Sequence, residues 1–235
     1  MKPYQKIAII ECGEPLVPIP LDLLAVVSPH PYQRLGAPYG GRSPYHLRQS
    51  VLHSLIQAQH YLQRQYPNWR LQIFDAYRPV AVQQFMVDYT FAEVAQQQLT
   101  LADLSESQRQ AIWQQVYQIW AVPSLEVSTP PPHSTGAAID ITLLDSTGQT
   151  VNMGSAIDEL SARSHPDYFA NSSKRAEQQY HHHRQLLCEV MRSVGFQRHP
   201  GEWWHFSFGD QMWAWLINQQ SGERTVARYG GVADC

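Results

Sequence analysis

The sequence has only three cysteines among 235 residues, and their number and spacing exclude a cysteine-based framework. Cys12, Cys188 and Cys235 are far apart, and an odd number cannot pair completely. They therefore predict neither a disulfide scaffold nor a thiolate metal site, and they suit a reducing compartment.

Charge is also sparse. Charged residues make up 16% of the chain, the formal net charge is -3, and no long run of Lys or Arg occurs. Because a protein that binds phosphate backbones needs clustered basic side chains, we do not expect nucleic acid as a partner. The hydrophobic content of 43% is ordinary for a globular protein, and the length predicts one domain over residues 1–235.

Long apolar runs are missing as well. Near the N-terminus the longest run covers residues 7–10 and is followed at once by Glu11. Such a run is too short for the core of a signal peptide or for a membrane span. We therefore expect no membrane partner and a cytoplasmic location.

Hydrophobic periodicity predicts helices mixed with short strands. Residues 1–46 are rich in Pro, Gly and Tyr and predict an extended arm with loops and at most one short strand. Apolar spacing predicts helices over 47–62, 80–98, from an N-cap at Ser105, and over 173–194. Alternation predicts strands over 71–77, 137–144 and 202–208, so the fold class is α+β.

Three segments carry residue types suited to metal and acid–base chemistry. Residues 133–140 read HSTGAAID, residues 202–205 read EWWH, and residues 75–79 read DAYRP. Two histidines and one carboxylate form the ligand set of a catalytic zinc. A further carboxylate can move protons, and an arginine can stabilise negative charge on a carbonyl oxygen.

Spacing alone leaves the metal site open against simpler interpretations. His133 and Asp140 could be a turn residue and an ion-paired strand residue, and Arg78 could simply pair with Asp75. On a regular strand Glu202 and His205 would point to opposite faces. The break at residues 200–201 answers this objection if Glu202 precedes the regular strand.

The combination of motifs resembles the D-alanyl-D-alanine dipeptidase family, relatives of the D,D-carboxypeptidases and the hedgehog domain. The resemblance rests on the pattern His133-x-x-Gly-x-Ala-x-Asp140, on Glu202-Trp-Trp-His205, and on the arginine-bearing segment 75–79. Residues 153–158 and 164–165 are similar to the segment of that family that holds the amino end of the substrate. The match runs from about residue 45 to 208, whereas residues 1–45 and 210–235 match loosely.

The resemblance implies a hedgehog/D,D-peptidase-like fold, in which a small antiparallel sheet flanked by helices carries one zinc ion per chain. It implies His133, Asp140 and His205 as zinc ligands, Glu202 as general base and acid, and Arg78 as the group that stabilises the oxyanion. It also implies that Asp158 pairs with the free ammonium of D-Ala-D-Ala, with Ser155 and Tyr77 as further substrate-binding residues.

One departure and two alternatives accompany the resemblance. The family usually has Ser two residues before the first His, where this chain has Pro131, so recognition of the substrate's carboxylate or backbone is in question. The alternatives are a D,D- or L,D-carboxypeptidase acting on peptidoglycan stem peptides, and a zinc-bearing binding domain without activity. The sequence indicates no oligomeric state.

Overall fold

A computed structural model describes residues 2–96, 104–222 and 224–232, and over these residues helices and short strands are interspersed along the chain. The strands are β1 (Leu16–Pro18), β2 (Ala25–Val26), β3 (His46–Arg48), β4 (Arg70–Asp75), β5 (Ala138–Leu144), β6 (Gln197–Arg198) and β7 (His205–Ser207). The helices are α1 (Pro31–Arg34), α2 (Gln49–Gln65), α3 (Val80–Gln96), α4 (Glu106–Ile119), α5 (Arg175–Arg192) and α6 (Gln211–Ser221). The predicted α+β class is confirmed.

The main sheet has five strands in the order β2-β4-β5-β7-β6. Strands β4, β5, β7 and β6 pair antiparallel, as predicted, whereas β2 joins the edge of β4 in parallel. The register places Asp140 opposite His205 on one side and opposite Asp75 on the other. Three polar residues from three strands are thereby brought to adjacent positions at the same level of the sheet.

The two faces of the sheet carry different side chains because successive residues of a strand point to opposite sides. Ile139, Ile141 and Leu143 of β5 are fully buried in the larger core, together with apolar residues of α2 and α5. Burial of each such side chain contributes about 1.5–3 kcal/mol. Asp140 points to the opposite face, towards the side where α3 and α4 form a second apolar cluster.

Most predicted helices are confirmed, with shifts at their ends. The hydroxyl of Ser105 accepts a hydrogen bond from the N–H of Gln108, as expected for the N-cap of α4. Helix α3 is described as far as Gln96, and the rest of its predicted range lies outside the described residues. Among the described residues no helix is both long and apolar enough to cross a membrane.

Two predictions towards the ends of the chain are wrong in detail, and one helix was not predicted. The first 48 residues contain three short strands and not one at most. The strand predicted over 202–208 shrinks to His205–Ser207, since the N–H of Trp203 donates to Ser164 and leaves the sheet pattern. Helix α6 was not predicted; it begins at an N-cap, Asp210, which accepts from the N–H of Trp213.

Candidate metal centre and active site

Two imidazoles and one carboxylate meet on the face of the sheet to which Asp140 points, opposite the larger core. Asp140 lies on β5 and His205 on β7, while His133 lies in a 3-10 turn, Pro132–Thr135, that leads into β5. His133 Nε2 lies 3.2 Å from His205 Nδ1 and 3.3 Å from Asp140 Oδ2, and His205 Nδ1 lies 3.0 Å from Asp140 Oδ1. All three residues are buried, and their ligand atoms lie within 4.8 Å of one another.

The hydrogen bonds of His133 determine which ring nitrogen faces the cluster. Its Nδ1 lies 2.8 Å from the carbonyl oxygen of Ala76. Because a carbonyl oxygen only accepts, Nδ1 carries a proton, which leaves Nε2 as the nitrogen that can bind a metal. A histidine that binds a metal commonly donates its other N–H in this way, which orients the ring.

His205 is oriented by a hydroxyl and a second carboxylate. Ser207 Oγ lies 2.9 Å from Asp210 Oδ2 and 3.4 Å from His205 Nε2. Since the Asp210 carboxylate accepts, the Ser207 hydroxyl donates to it, and the hydroxyl oxygen accepts from Nε2–H of His205. With the proton on Nε2, Nδ1 would present its lone pair to a metal ion shared with Asp140, whose Oδ1 lies 3.0 Å away. Burial raises the pKa of Asp210 to about 6.

The turn that carries His133 depends on Gly136. Gly136 ends the turn with φ +70, a left-handed conformation that favours glycine. A Cβ at this position would lie 2.3 Å from the end of the Leu16 side chain, which would have to shift. The Ser134 hydroxyl donates to the carbonyl of Arg78 at 2.7 Å, which fixes the turn to the segment that carries the arginine.

Arg78 is buried beside the three metal donors and is held by acidic and polar groups. Its Nη2 lies 2.7 Å from Asp75 Oδ2 and 3.3 Å from Asp140 Oδ2, and its Nη1 donates to Gln83 Oε1 at 2.8 Å. Burial alone would lower the pKa of Arg78, but the surrounding Asp75, Tyr32, Asp140 and Asp158 together outweigh burial and raise it. Arg78 thus pairs with Asp75 and also faces the metal donors. The ion pair expected from the sequence is therefore compatible with the expected role at the site.

Glu202 lies before β7 begins, just after the break at residues 200–201. Its side chain lines a cavity together with Arg78 and the three metal donors. It is buried, and burial followed by the charges of Asp140 and Asp158 raises the pKa of Glu202 well above that of an ordinary glutamate. Its Oε1 lies 3.4 Å from Nδ1 of His199. Burial lowers the pKa of His199 to about 3, so this ring is neutral.

Asp158 also lines this cavity and, like Glu202, does not belong to the group of metal donors. Its backbone has φ +64, a conformation that Asp and Asn adopt more readily than other residues with a Cβ. The Tyr32 hydroxyl donates to Asp158 Oδ2 at 2.7 Å. Burial, and then the negative charge of Asp140, raises the pKa of Asp158 to about 7.

These residues enclose one small cavity of about 30 Å³, room for about one or two waters. Its wall includes four residues that sequence analysis did not select: Lys2, Tyr4, Trp120 and Met212. Lys2 and Tyr4 come from the first residues of the chain and Met212 from α6, so only the tertiary fold brings them here.

Two predicted substrate-binding residues are not among the residues that line this cavity. Ser155 Oγ accepts from Trp203 Nε1 at 2.9 Å and from Arg184 Nη2 at 3.1 Å, and it lines a neighbouring groove. Tyr77 is buried, accepts from Arg42 Nη1 at 3.2 Å, and lines a separate depression. Contact of Ser155 and Tyr77 with substrate stays a prediction.

The donor set fits a zinc ion. Two imidazole nitrogens and one carboxylate are the protein ligands of catalytic zinc sites that keep a further position open. His133, Asp140 and His205 form the cluster of metal-ligand type found among residues 2–96, 104–222 and 224–232. Arg78, Glu202 and Asp158 surround the cluster without joining it.

Comparison with known proteins agrees with this geometry. Residues 26–226 match the peptidase M15 family, described as D-ala-D-ala dipeptidase. The chain is 55% identical to a D-alanyl-D-alanine dipeptidase of Synechocystis sp., over 99% of this chain and 97% of that protein. It is also 41% identical to a D-alanyl-D-alanine dipeptidase of Enterococcus faecalis, over 36% of this chain and 40% of that protein.

Among solved structures, the chain resembles a mutant of the vancomycin-resistance D,D-pentapeptidase VanY in complex with Zn(II). The TM-score is 0.46 at 16% identity, over 87% of this chain and 89% of that chain. The family match over residues 26–226 and the 55% identity to the Synechocystis relative over nearly the whole length of both chains are decisive. The chain belongs to the peptidase M15 family of D-ala-D-ala dipeptidases and is a zinc metallopeptidase.

Proposed function

We propose that this chain hydrolyses D-alanyl-D-alanine to two molecules of D-alanine, with one zinc ion per chain held by His133, Asp140 and His205. The observation that carries the proposal is the composition of one buried cavity. It contains the three metal donors, a separate glutamate, an arginine, and the Asp158 carboxylate, which suits a free ammonium. The family match and the 55% identical dipeptidase support the same substrate.

Zinc, when bound, supplies a Lewis acid and makes a water nucleophilic at neutral pH. The Glu202 carboxylate accepts a proton from the attacking water and later gives that proton to the leaving amine. Its burial beside negative charges raises its pKa, and a raised pKa makes the protonated form easier to reach for that second transfer. Arg78 directs Nη2 towards the metal donors, from where it donates to the carbonyl oxygen as negative charge develops.

Asp158 selects the free amino end of a dipeptide. Without a bound cation the carboxylate is buried near Asp140, which is why its pKa is raised. A substrate ammonium compensates the charge, whereas an acylated amino group leaves a buried carboxylate without a partner, at a cost of several kcal/mol. We therefore infer that dipeptides are preferred over peptides extended at the amino end.

The test is hydrolysis of D-Ala-D-Ala, L-Ala-L-Ala and N-acetyl-D-Ala-D-Ala by the purified protein, before and after removal of metal by a chelator. We expect D-Ala-D-Ala to be cleaved fastest, and we expect chelation to abolish and added zinc to restore the activity. Preference for the N-acetylated substrate would favour the carboxypeptidase alternative. Bound zinc without turnover of any of the three would favour a binding domain. A cytoplasmic location stays a prediction, and cell fractionation tests it.

A further inference from the structure

The N-terminal arm places a lysine in the wall of the active-site cavity. Lys2 is half-buried, and its Nζ donates to the carbonyl oxygen of Tyr117 near the end of α4, at 3.0 Å. The arm is held against α6, because Tyr4 is buried and packs with Met212 and Leu216. Gln211 Nε2 also donates to the carbonyl of Ile7 at 2.7 Å. Lys2 is thus part of a packed segment and not a loose chain end.

A dipeptide would bring its free carboxylate into a cavity whose wall already contains three acidic side chains. Asp140, Asp158 and Glu202 all line it, so a further negative charge needs a cation nearby. Arg78 does not meet this need, since its Nε and Nη2 contact Asp75, its Nη1 donates to Gln83, and the proposed mechanism already assigns Nη2 to the carbonyl oxygen that is attacked. Lys2 is the other Lys or Arg among the described residues that line this cavity.

The Lys2 ammonium has donors to spare. An ammonium has three N–H donors, and the bond to Tyr117 uses one of them. Burial lowers the pKa of Lys2, while the negative charge of Glu202 opposes this shift. The cavity holds only about one or two waters, so the side chains that line it must move when a dipeptide enters. The long, flexible stem of Lys2 allows its ammonium to leave the Tyr117 carbonyl in that movement.

A second donor near the end of α4 points to an acceptor ligand. Trp120 is 2% exposed and lines the cavity, and within the described residues its Nε1–H has no hydrogen-bond partner. Buried N–H groups are rarely left without an acceptor, so a bound molecule or water is expected to supply one. Pro131 offers neither a hydroxyl nor an N–H at the entry to the His133 turn.

We propose that Lys2 binds the free carboxylate of the dipeptide, at the opposite end of the substrate from the ammonium that Asp158 binds. This inference rests on the proposed dipeptidase function and adds the residue that recognises the carboxyl end. The cavity then holds a zwitterion between a cation and an anion of the protein. It also gives the N-terminal arm a role in specificity.

The test compares D-Ala-D-Ala with its C-terminal amide in the wild type and in Lys2→Gln, Lys2→Arg and Lys6→Gln. Lys6 is an exposed lysine on the same arm and serves as the matched control. Each protein carries its purification tag at the C-terminus, so that the arm is unaltered. A hydrogen bond to a charged group contributes about 1.5–3 kcal/mol, which corresponds to about 10- to 100-fold in kcat/KM.

We expect the wild type and Lys6→Gln to prefer the free carboxylate over the amide by about 10- to 100-fold. Lys2→Gln should lose most of this preference, mainly through KM, and Lys2→Arg should keep part of it. If Lys2→Gln slows both substrates equally, Lys2 only balances the charge of Glu202, and the proposal is overturned. An unchanged preference in Lys2→Gln overturns it too. A wild type that cleaves no dipeptide refutes the proposed function itself, and this inference with it.

Discussion

Replacement of Asp158 by Asn tests how the amino end of the substrate is recognised. Asn is nearly isosteric, tolerates the backbone φ of +64, and still offers an oxygen to the Tyr32 hydroxyl. What it removes is the negative charge. If Asp158 pairs with the substrate ammonium, the variant should lose about 10- to 100-fold in kcat/KM for D-Ala-D-Ala and much less for N-acetyl-D-Ala-D-Ala.

The pKa of Asp158 adds a pH signature to this prediction. With a pKa of about 7 in the free protein, the carboxylate gains its charge as the pH rises. Its ionised fraction increases about eightfold between about pH 6 and pH 7.5, whereas the amino group of the substrate is still mostly protonated over that range. Partial loss of the substrate's ammonium near pH 7.5 reduces this gain, so the ratio of kcat/KM for the free and acetylated dipeptides should rise about five- to sixfold in the wild type.

The assay is this ratio, measured from about pH 5.5 to pH 7.5 for the wild type, Asp158→Asn and the exposed control Asp88→Asn. Because titration of Glu202 affects both substrates, it divides out of the ratio. We expect a rising ratio in the wild type and Asp88→Asn, and a flat, low ratio in Asp158→Asn. A ratio in Asp158→Asn that matches the wild type at every pH would refute the role of this carboxylate.

Three further substitutions separate the other roles. Glu202→Gln should retain zinc and lose about 10²–10⁴-fold in kcat, with exposed Glu126→Gln as the control, and activity that survives would exclude Glu202 as the base. Arg78→Lys should lower kcat more than it raises KM, because a lysine ammonium cannot contact both Asp75 and the reacting carbonyl as the guanidinium does. A variant with the wild-type kcat would contradict this role of Arg78. Ser207→Ala should weaken zinc binding about 10- to 100-fold in a competition with a chelator, because His205 loses the hydroxyl that orients it. An unchanged affinity would show that zinc binding does not depend on the Ser207 hydroxyl.

Local sequence patterns were sufficient for the parts of the fold that depend on near neighbours. Alternation over β5 separated Asp140 from the buried Ile139 and Ile141, and Ser105 had the chemistry of an N-cap. The break at residues 200–201 also explained how Glu202 can share a site with His205, since the strand begins only at His205.

The remaining features depend on contacts between segments that are distant in sequence. Lys2 reaches the site because Tyr4 packs on α6, a helix that was itself not predicted. His30 Nε2 lies 3.0 Å from Asp75 Oδ1, and nothing in the sequence around either residue indicates this pairing. Ser207 and Asp210 follow His205 closely, so their proximity could have been suspected, but the direction of their side chains could not.

The central claim is that His133, Asp140 and His205 share one metal ion. The most direct measurement is zinc content per chain after exhaustive dialysis, for the wild type and for His133→Ala, Asp140→Ala, His205→Ala and Glu202→Gln, each checked for folding by circular dichroism. We predict one zinc per chain in the wild type and Glu202→Gln, and little or none in the three ligand variants. Full, tightly bound zinc in any folded ligand variant would contradict the account.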